Sequence, residues 1–261
     1  MNPSVLFVFI LSILLGVLRA ADLAFGTDAV TGLCVVGSVW WRYLALGIVV
    51  LAAVLVGRTQ PSHSEAVRSR RPLAGILAFV GAVCFLAAAG AQIALGAASG
   101  LGGFVRCILE CLCSAWLSTM GRCWLSPNEW KKPFGGLYLA VAGSLLFYWN
   151  VLLRFMENSS SWHRVTPTAA VWQALAALVF LAALARALHV PQPGNGKTLC
   201  AAGLAAFALC LCWQLPHVLV LMSGLSWAAP AVWPEIFAGL GLCCVGGIGG
   251  ACVTACLNGE S

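Results

Sequence analysis

Gly103–Trp124 reads GFVRCILECLCSAWLSTMGRCW. Whether this stretch crosses a membrane decides which side every later loop faces. It is apolar over most of its length, yet Glu110 sits inside it and four cysteines accompany it. Its polar residues Arg106, Glu110, Ser114, Ser118 and Arg122 recur at i+4 spacing, which puts them on one helix face. A polar stripe on a helix that is otherwise apolar belongs against protein or a wet cavity, not against lipid.

The surrounding chain supplies the context. Of its 261 residues, 61% are hydrophobic and 8% charged, against about 25% charged in a soluble domain. A water-soluble fold of this size could not hide so much apolar surface. Seven other apolar runs approach or reach the roughly 20 residues that a bilayer crossing needs. They are Pro3–Leu18, Cys34–Val56, Leu73–Ala98, Phe134–Phe155, Pro167–Leu188, Leu199–Met222 and Ile236–Leu257. The predicted fold is all-α, a polytopic membrane helical bundle of eight transmembrane helices, forming one integral membrane domain over 1–261. The first run half-fits a signal peptide cleaved after Ala20, but its start lacks Lys or Arg, which favours a retained span.

Two patterns argue that Gly103–Trp124 is the fourth span. With eight spans and both termini inside, the inner side holds Arg58, Arg68, Arg70, Arg71, Arg122, Lys131, Lys132, Arg186 and Lys197. That is nine of the fourteen Lys and Arg residues, as the positive-inside rule prefers. Laying the segment on the outer surface reverses everything after it, and the inner count falls to six. Polar residues also alternate between span ends. Arg19, Gln92, Asn150 with Arg154, and Gln214 with His217 close the odd spans. Arg42, Arg106 with Glu110, Gln173 and Glu235 open the even ones. Eight spans bring all of these to the outer half of the membrane. A weaker echo relates Val39–Leu46 to Ala170–Ala177 and suggests two parallel four-helix halves, 1–125 and 133–257.

The candidate polar zone therefore comprises Glu110, Arg106, His217, Gln214, Asn150, Gln92, Gln173 and Arg42. Glu110 reads either as a proton, cation or substrate anchor, or as half of a structural ion pair with Arg106. In Trp213-Gln214-Leu215-Pro216-His217, Pro216 removes a backbone donor and frees a carbonyl. Gln214 and His217, three apart, share a face there. They contact a ligand, or they satisfy the freed backbone groups.

Other motifs carry less. The thirteen cysteines include no CxxC pair and read as small apolar residues. Neither a metal centre nor a disulfide framework is expected from them. Bis-histidine haem would need a second intramembrane His beside His217. The Gly-Lys of Pro191–Lys197 lacks phosphate-loop spacing. Asn158-Ser159-Ser160 matches a glycosylation acceptor, a pattern common by chance. Gly246 and Gly250 form GxxxG, which serves close helix packing or an oligomer contact. The net charge of +6 orients spans and does not mark a nucleic-acid binder. No catalytic motif is present, and no cofactor is specified.

The expectation is a multi-pass protein of a bacterial cytoplasmic membrane with both termini cytoplasmic. Its partners are the lipid bilayer and a membrane protein or a second copy of the chain. The plainest functional reading is a structural or partner-binding component with an outward-facing polar zone. A transporter or small-molecule binder, and a quinol-interacting anchor subunit of a redox complex, are the alternatives.

Overall fold

A computed structural model describes residues 2–28, 33–60, 63–96, 100–126, 132–156, 165–190, 192, 194–223 and 230–258. Eight helices in it are long and apolar enough to cross a membrane. They are α1 (Pro3–Gly26), α2 (Val39–Thr59), α3 (Pro72–Ala94), α4 (Leu101–Leu125), α5 (Gly136–Met156), α6 (Val165–His189), α7 (Asn195–Ser223) and α8 (Trp233–Asn258). Among the described residues the only β pairing is one bridge between Thr27 and Cys34. The chain is an all-α multi-pass membrane bundle. Residues Lys131, Asn158, Ser159, Ser160, Arg164 and Trp227 lie outside the described residues.

The helix starts follow local chemistry. Asn2 and Ser38 cap α1 and α2 by accepting the backbone N–H of Ser4 and Trp40, which satisfies otherwise orphan donors. Pro72 sits in the first turn of α3, where its missing N–H costs nothing. The second span begins at Val39, not at Cys34 as its hydropathy suggests. Gly37 takes φ +76°, and the chain at 33–38 runs outside the helix before Ser38 caps it.

The stretch Gly103–Trp124 lies within α4, and α4 runs along α3 for its whole length. Glu110 meets Gln92 at one end, and the Ser114 hydroxyl donates to the Ala82 carbonyl at 2.8 Å in the middle. At the other end Gly121 and Gly75 touch, a Cβ added at Gly121 falling 3.1 Å from the Gly75 carbonyl oxygen. A surface-lying helix could not make these contacts with a transmembrane neighbour.

The lateral faces of the bundle are apolar and outward, with Phe7 61% and Val83 65% exposed. Only a lipid solvent tolerates so much of this surface. Inside, α7 is the central helix, packed on α1, α2, α6 and α8. Its contact with α8 is backbone to backbone. A Cβ on Gly203 would lie 2.9 Å from the Gly249 carbonyl, and one on Gly249 2.8 Å from that of Gly203. Gly246 and Gly250 also face α7, against Leu211 and the Phe207 ring. Gly249→Val is therefore expected to lower stability by about 1–3 kcal/mol through overpacking. Denaturant titration in mixed micelles checks this, and an unchanged midpoint would contradict the close approach.

The two ends of the bundle differ. One gathers the N-terminus, the 60–72 connection and the C-terminal ends of α4, α6 and α8. Here the Trp124 indole N–H donates to the Val67 carbonyl at 3.0 Å, and His63 N–H to the Cys256 carbonyl at 3.1 Å. Arg68 donates to the carbonyls of Ala187 and Leu188 at 3.0 and 3.3 Å. A cation there answers both the orphan carbonyls and the negative end of the α6 dipole. Below this end the interior is apolar, filled by Trp116, Trp124, Phe180, Leu181, Leu184 and Leu199. Glu110, Asn150, Gln173, Gln214 and His217 lie toward the opposite end.

Candidate functional site

Glu110 is 1% exposed and lies nine residues into α4, about 13 Å along its axis. Three hydrogen bonds hold its carboxylate. Gln92, in the last turn of α3, donates its amide to both oxygens at 2.9 Å, and Arg106 Nε donates to Oε1 at 3.0 Å. The i,i+4 spacing of Arg106 and Glu110 makes the second contact a within-helix ion pair. The sequence leaves this pairing as one of two readings. In the structure Arg106 remains partly exposed and reaches into a cavity.

That cavity, about 170 Å³, is walled by α4, α5, α6, α7 and α8, with Phe85 of α3 at its edge. Such a volume holds on the order of five waters at about 30 Å³ each. Each helix contributes at turn spacing. Asn150 and Arg154 come from α5, Thr166, Ala170 and Gln173 from α6, and Glu235, Ala238, Gly239 and Leu242 from α8. Residues three and four apart share a face, so each helix presents one stripe to the space. Gln214 and His217 come from α7. His217 Nε2 lies 3.4 Å from Glu235 Oε1, a long contact for a hydrogen bond. Gly239, in the cavity wall, lets α8 approach α7 closely. A Cβ there would fall 2.9 Å from the Gln214 amide nitrogen and 2.6 Å from Val218 Cγ2.

Behind the cavity α7 departs from α-helical geometry. Phe207–Trp213 is a π-helical segment, and Pro216 follows it. Such bulges leave backbone groups for other partners. Gln173 Nε2 donates to the Leu209 carbonyl at 3.0 Å and to Gln214 Oε1 at 2.9 Å. Pro216 offers no N–H to the Cys212 carbonyl four residues before it. That oxygen instead faces Gly16 of α1, where an added Cβ would lie 2.7 Å away.

A second polar cluster lies at the same end. Arg19 is 1% exposed. It donates to Asp22 Oδ2 at 2.8 Å and to the Thr166 hydroxyl at 3.0 Å, and its guanidinium lies 4.7 Å from the centre of the Trp213 ring. Arg42 Nε donates to Asp22 Oδ1 at 2.8 Å, and Arg42 also binds Cys34 and the Gly26 carbonyl. Asp22 is thus shared by two arginines. Thr166 belongs to both groups, because it also borders the cavity.

Of the eight candidates, Arg106, Glu110, Asn150, Gln173, Gln214 and His217 line the cavity. Gln92 stands one contact behind it, on Glu110. Arg42 does not join them and is held by Asp22. Arg154 and Glu235 line the wall without having been singled out as site residues, although both belong to the alternating polar ends. Thr166 precedes the apolar run that the sequence opens at Pro167, and it lies in the first turn of α6. All thirteen cysteines are free thiols. Among the described residues no three His, Cys, Asp or Glu side chains gather as a metal site.

No protein-family model, curated protein or solved structure matches the chain.

Proposed function

We propose that the protein binds a small charged or zwitterionic solute in the polar cavity, as a transporter or a membrane-embedded solute receptor. The observation that carries this reading is Asn150. Its side chain borders the cavity from within the bundle and has no hydrogen-bond partner among the described residues. A bundle that used its polar groups only to join helices would close them on one another, as Gln92–Glu110 and Gln173–Gln214 do. Asn150 instead borders a cavity whose wall also carries two arginines, two glutamates and a histidine. A solute that brought its own donors and acceptors would complete the Asn150 amide. A quinol headgroup finds less support, because five ionisable side chains border the space.

The protein is read as lying in the cytoplasmic membrane with both termini cytoplasmic and the cavity toward the outer face. The support is the positive-inside rule applied to the basic end that carries Arg58, Arg68, Arg70, Arg71, Arg122 and Lys197.

Thermal unfolding of purified protein with glycine, acetate, methylammonium or inorganic phosphate tests the binding. At 100-fold excess over Kd a ligand stabilises by about 2.7 kcal/mol. One of the four is expected to raise Tm in the wild type and not in Asn150→Leu. No shift with any of them would overturn the reading.

A further inference from the structure

A second cavity, independent of the polar one, lies on the lateral surface between α2, α6 and α7. It is about 350 Å³. Three helical stripes build it. Val50, Val54 and Arg58 of α2 are spaced i+4. Trp172, Leu175, Ala176 and Val179 follow along α6. Thr198, Ala201, Ala202, Ala205 and Leu209 form the floor on α7. Every lining side chain except Arg58 and Thr198 is carbon-rich and without charge.

The groove has a polar mouth at one end only. Gly57 lies against Ala201, where an added Cβ would come within 2.4 Å of the Ala201 Cα. Arg58, the next residue of α2, therefore stands beside the first turns of α7. Arg58 is exposed, and among the described residues it has no hydrogen-bond or ion-pair partner. Lys197 is exposed on the adjoining turn. From Thr198 to Leu209 the floor spans twelve residues, about 16 Å over its eleven rises of 1.5 Å. That is about half of the 30 Å hydrocarbon core, the depth of one leaflet.

We propose that this groove holds an acyl chain of an anionic phospholipid, with the lipid phosphate on Arg58 and the Thr198 hydroxyl. The chain fits an apolar slot one leaflet deep. The phosphate answers an unpaired guanidinium at the rim, where Arg makes a bidentate contact that a zwitterionic headgroup offsets with its own cation. The basic end of the bundle, with Arg58, Arg70, Arg71, Arg122 and Lys197, draws the same headgroups. A partner helix fits less well. A groove of this length accepts about three turns, and a helix would leave Arg58 facing apolar side chains.

Native mass spectrometry of the protein released from equimolar phosphatidylglycerol and phosphatidylcholine micelles tests the proposal. The wild type is expected as a monomer carrying one phosphatidylglycerol, favoured about fivefold over phosphatidylcholine. Arg58→Gln should bring the two lipids to parity, while Arg70→Gln, on an exposed residue outside the groove, keeps the preference. Val54→Trp fills the slot and should reduce adducts of both lipids. Equal adducts in the wild type, a preference that survives Arg58→Gln, or a lipid-free dimer would each overturn it.

Discussion

Asp22→Ala is expected to lower stability by about 3–5 kcal/mol, the cost of leaving a buried charge without its partner. Arg19 is 1% exposed, and Asp22 is the carboxylate it binds, at 2.8 Å. The Trp213 ring and the Thr166 hydroxyl remain after the substitution, but neither carries a negative charge. Arg42 loses the same carboxylate, so two guanidinium groups are affected at once. Arg19→Met should cost much less, because methionine keeps apolar contact with Trp213 and leaves Asp22 paired to Arg42. Denaturant titration in mixed micelles ranks the two variants. If Asp22→Ala falls within the roughly 0.5 kcal/mol of an ordinary surface change, the buried cluster does not exist as described.

Glu110→Leu is the second large effect, again about 3–5 kcal/mol. It strips the acceptor from the Gln92 amide, itself 5% exposed, and from Arg106. Glu110→Gln preserves the shape and one carbonyl acceptor. It should lose only about 1.5–3 kcal/mol, the scale of a hydrogen bond to a charged group. The two variants separate structure from function. Glu110→Gln should still fold, and any solute-dependent rise in Tm should shrink because the charge facing the cavity has changed. A fully stable Glu110→Leu would mean that Gln92 and Arg106 do not depend on this carboxylate.

The span count could be read because it rests on length, hydropathy and charge, which are properties of residues one at a time. The position of Gly103–Trp124 needed one more step, the alternation of polar ends, and that too is a one-dimensional pattern. The arrangement across helices is not one-dimensional. Gln92 and Asn150 look alike in sequence, each a lone amide near the end of an odd span. In space Gln92 is consumed by Glu110, while Asn150 faces open volume. Arg42 opens its span as Arg106 does, but it lies on α2, which does not line the cavity, beside Asp22. The 33–38 connection and the Thr27–Cys34 bridge bring Asp22 within its reach, and no periodicity announces that.

The π-helical turn in α7 was equally hidden. Pro216 marks a disturbance, and the expected freed carbonyl is the one at Cys212. Yet the irregular segment lies upstream, at Phe207–Trp213. Its Leu209 carbonyl is served by Gln173 from another helix. Gly239 shows the same limit. In sequence it is one of several glycines in α8, and only its closeness to Gln214 and Val218 shows that α7 packs on it with no room for a Cβ.

Accessibility of Asn150 tests the central claim most directly, because it needs no knowledge of the solute. The membrane-impermeant anionic thiosulfonate MTSES is added to one face of sealed, oriented vesicles, and modification is read as added mass above the wild-type cysteine background. A cavity that admits a small charged solute admits this reagent. Asn150→Cys is predicted to react from the face opposite to the one that modifies Lys197→Cys, and from that face only. Failure to react from either face, or reaction from the Lys197 side, would contradict a solute-accessible cavity at the polar end.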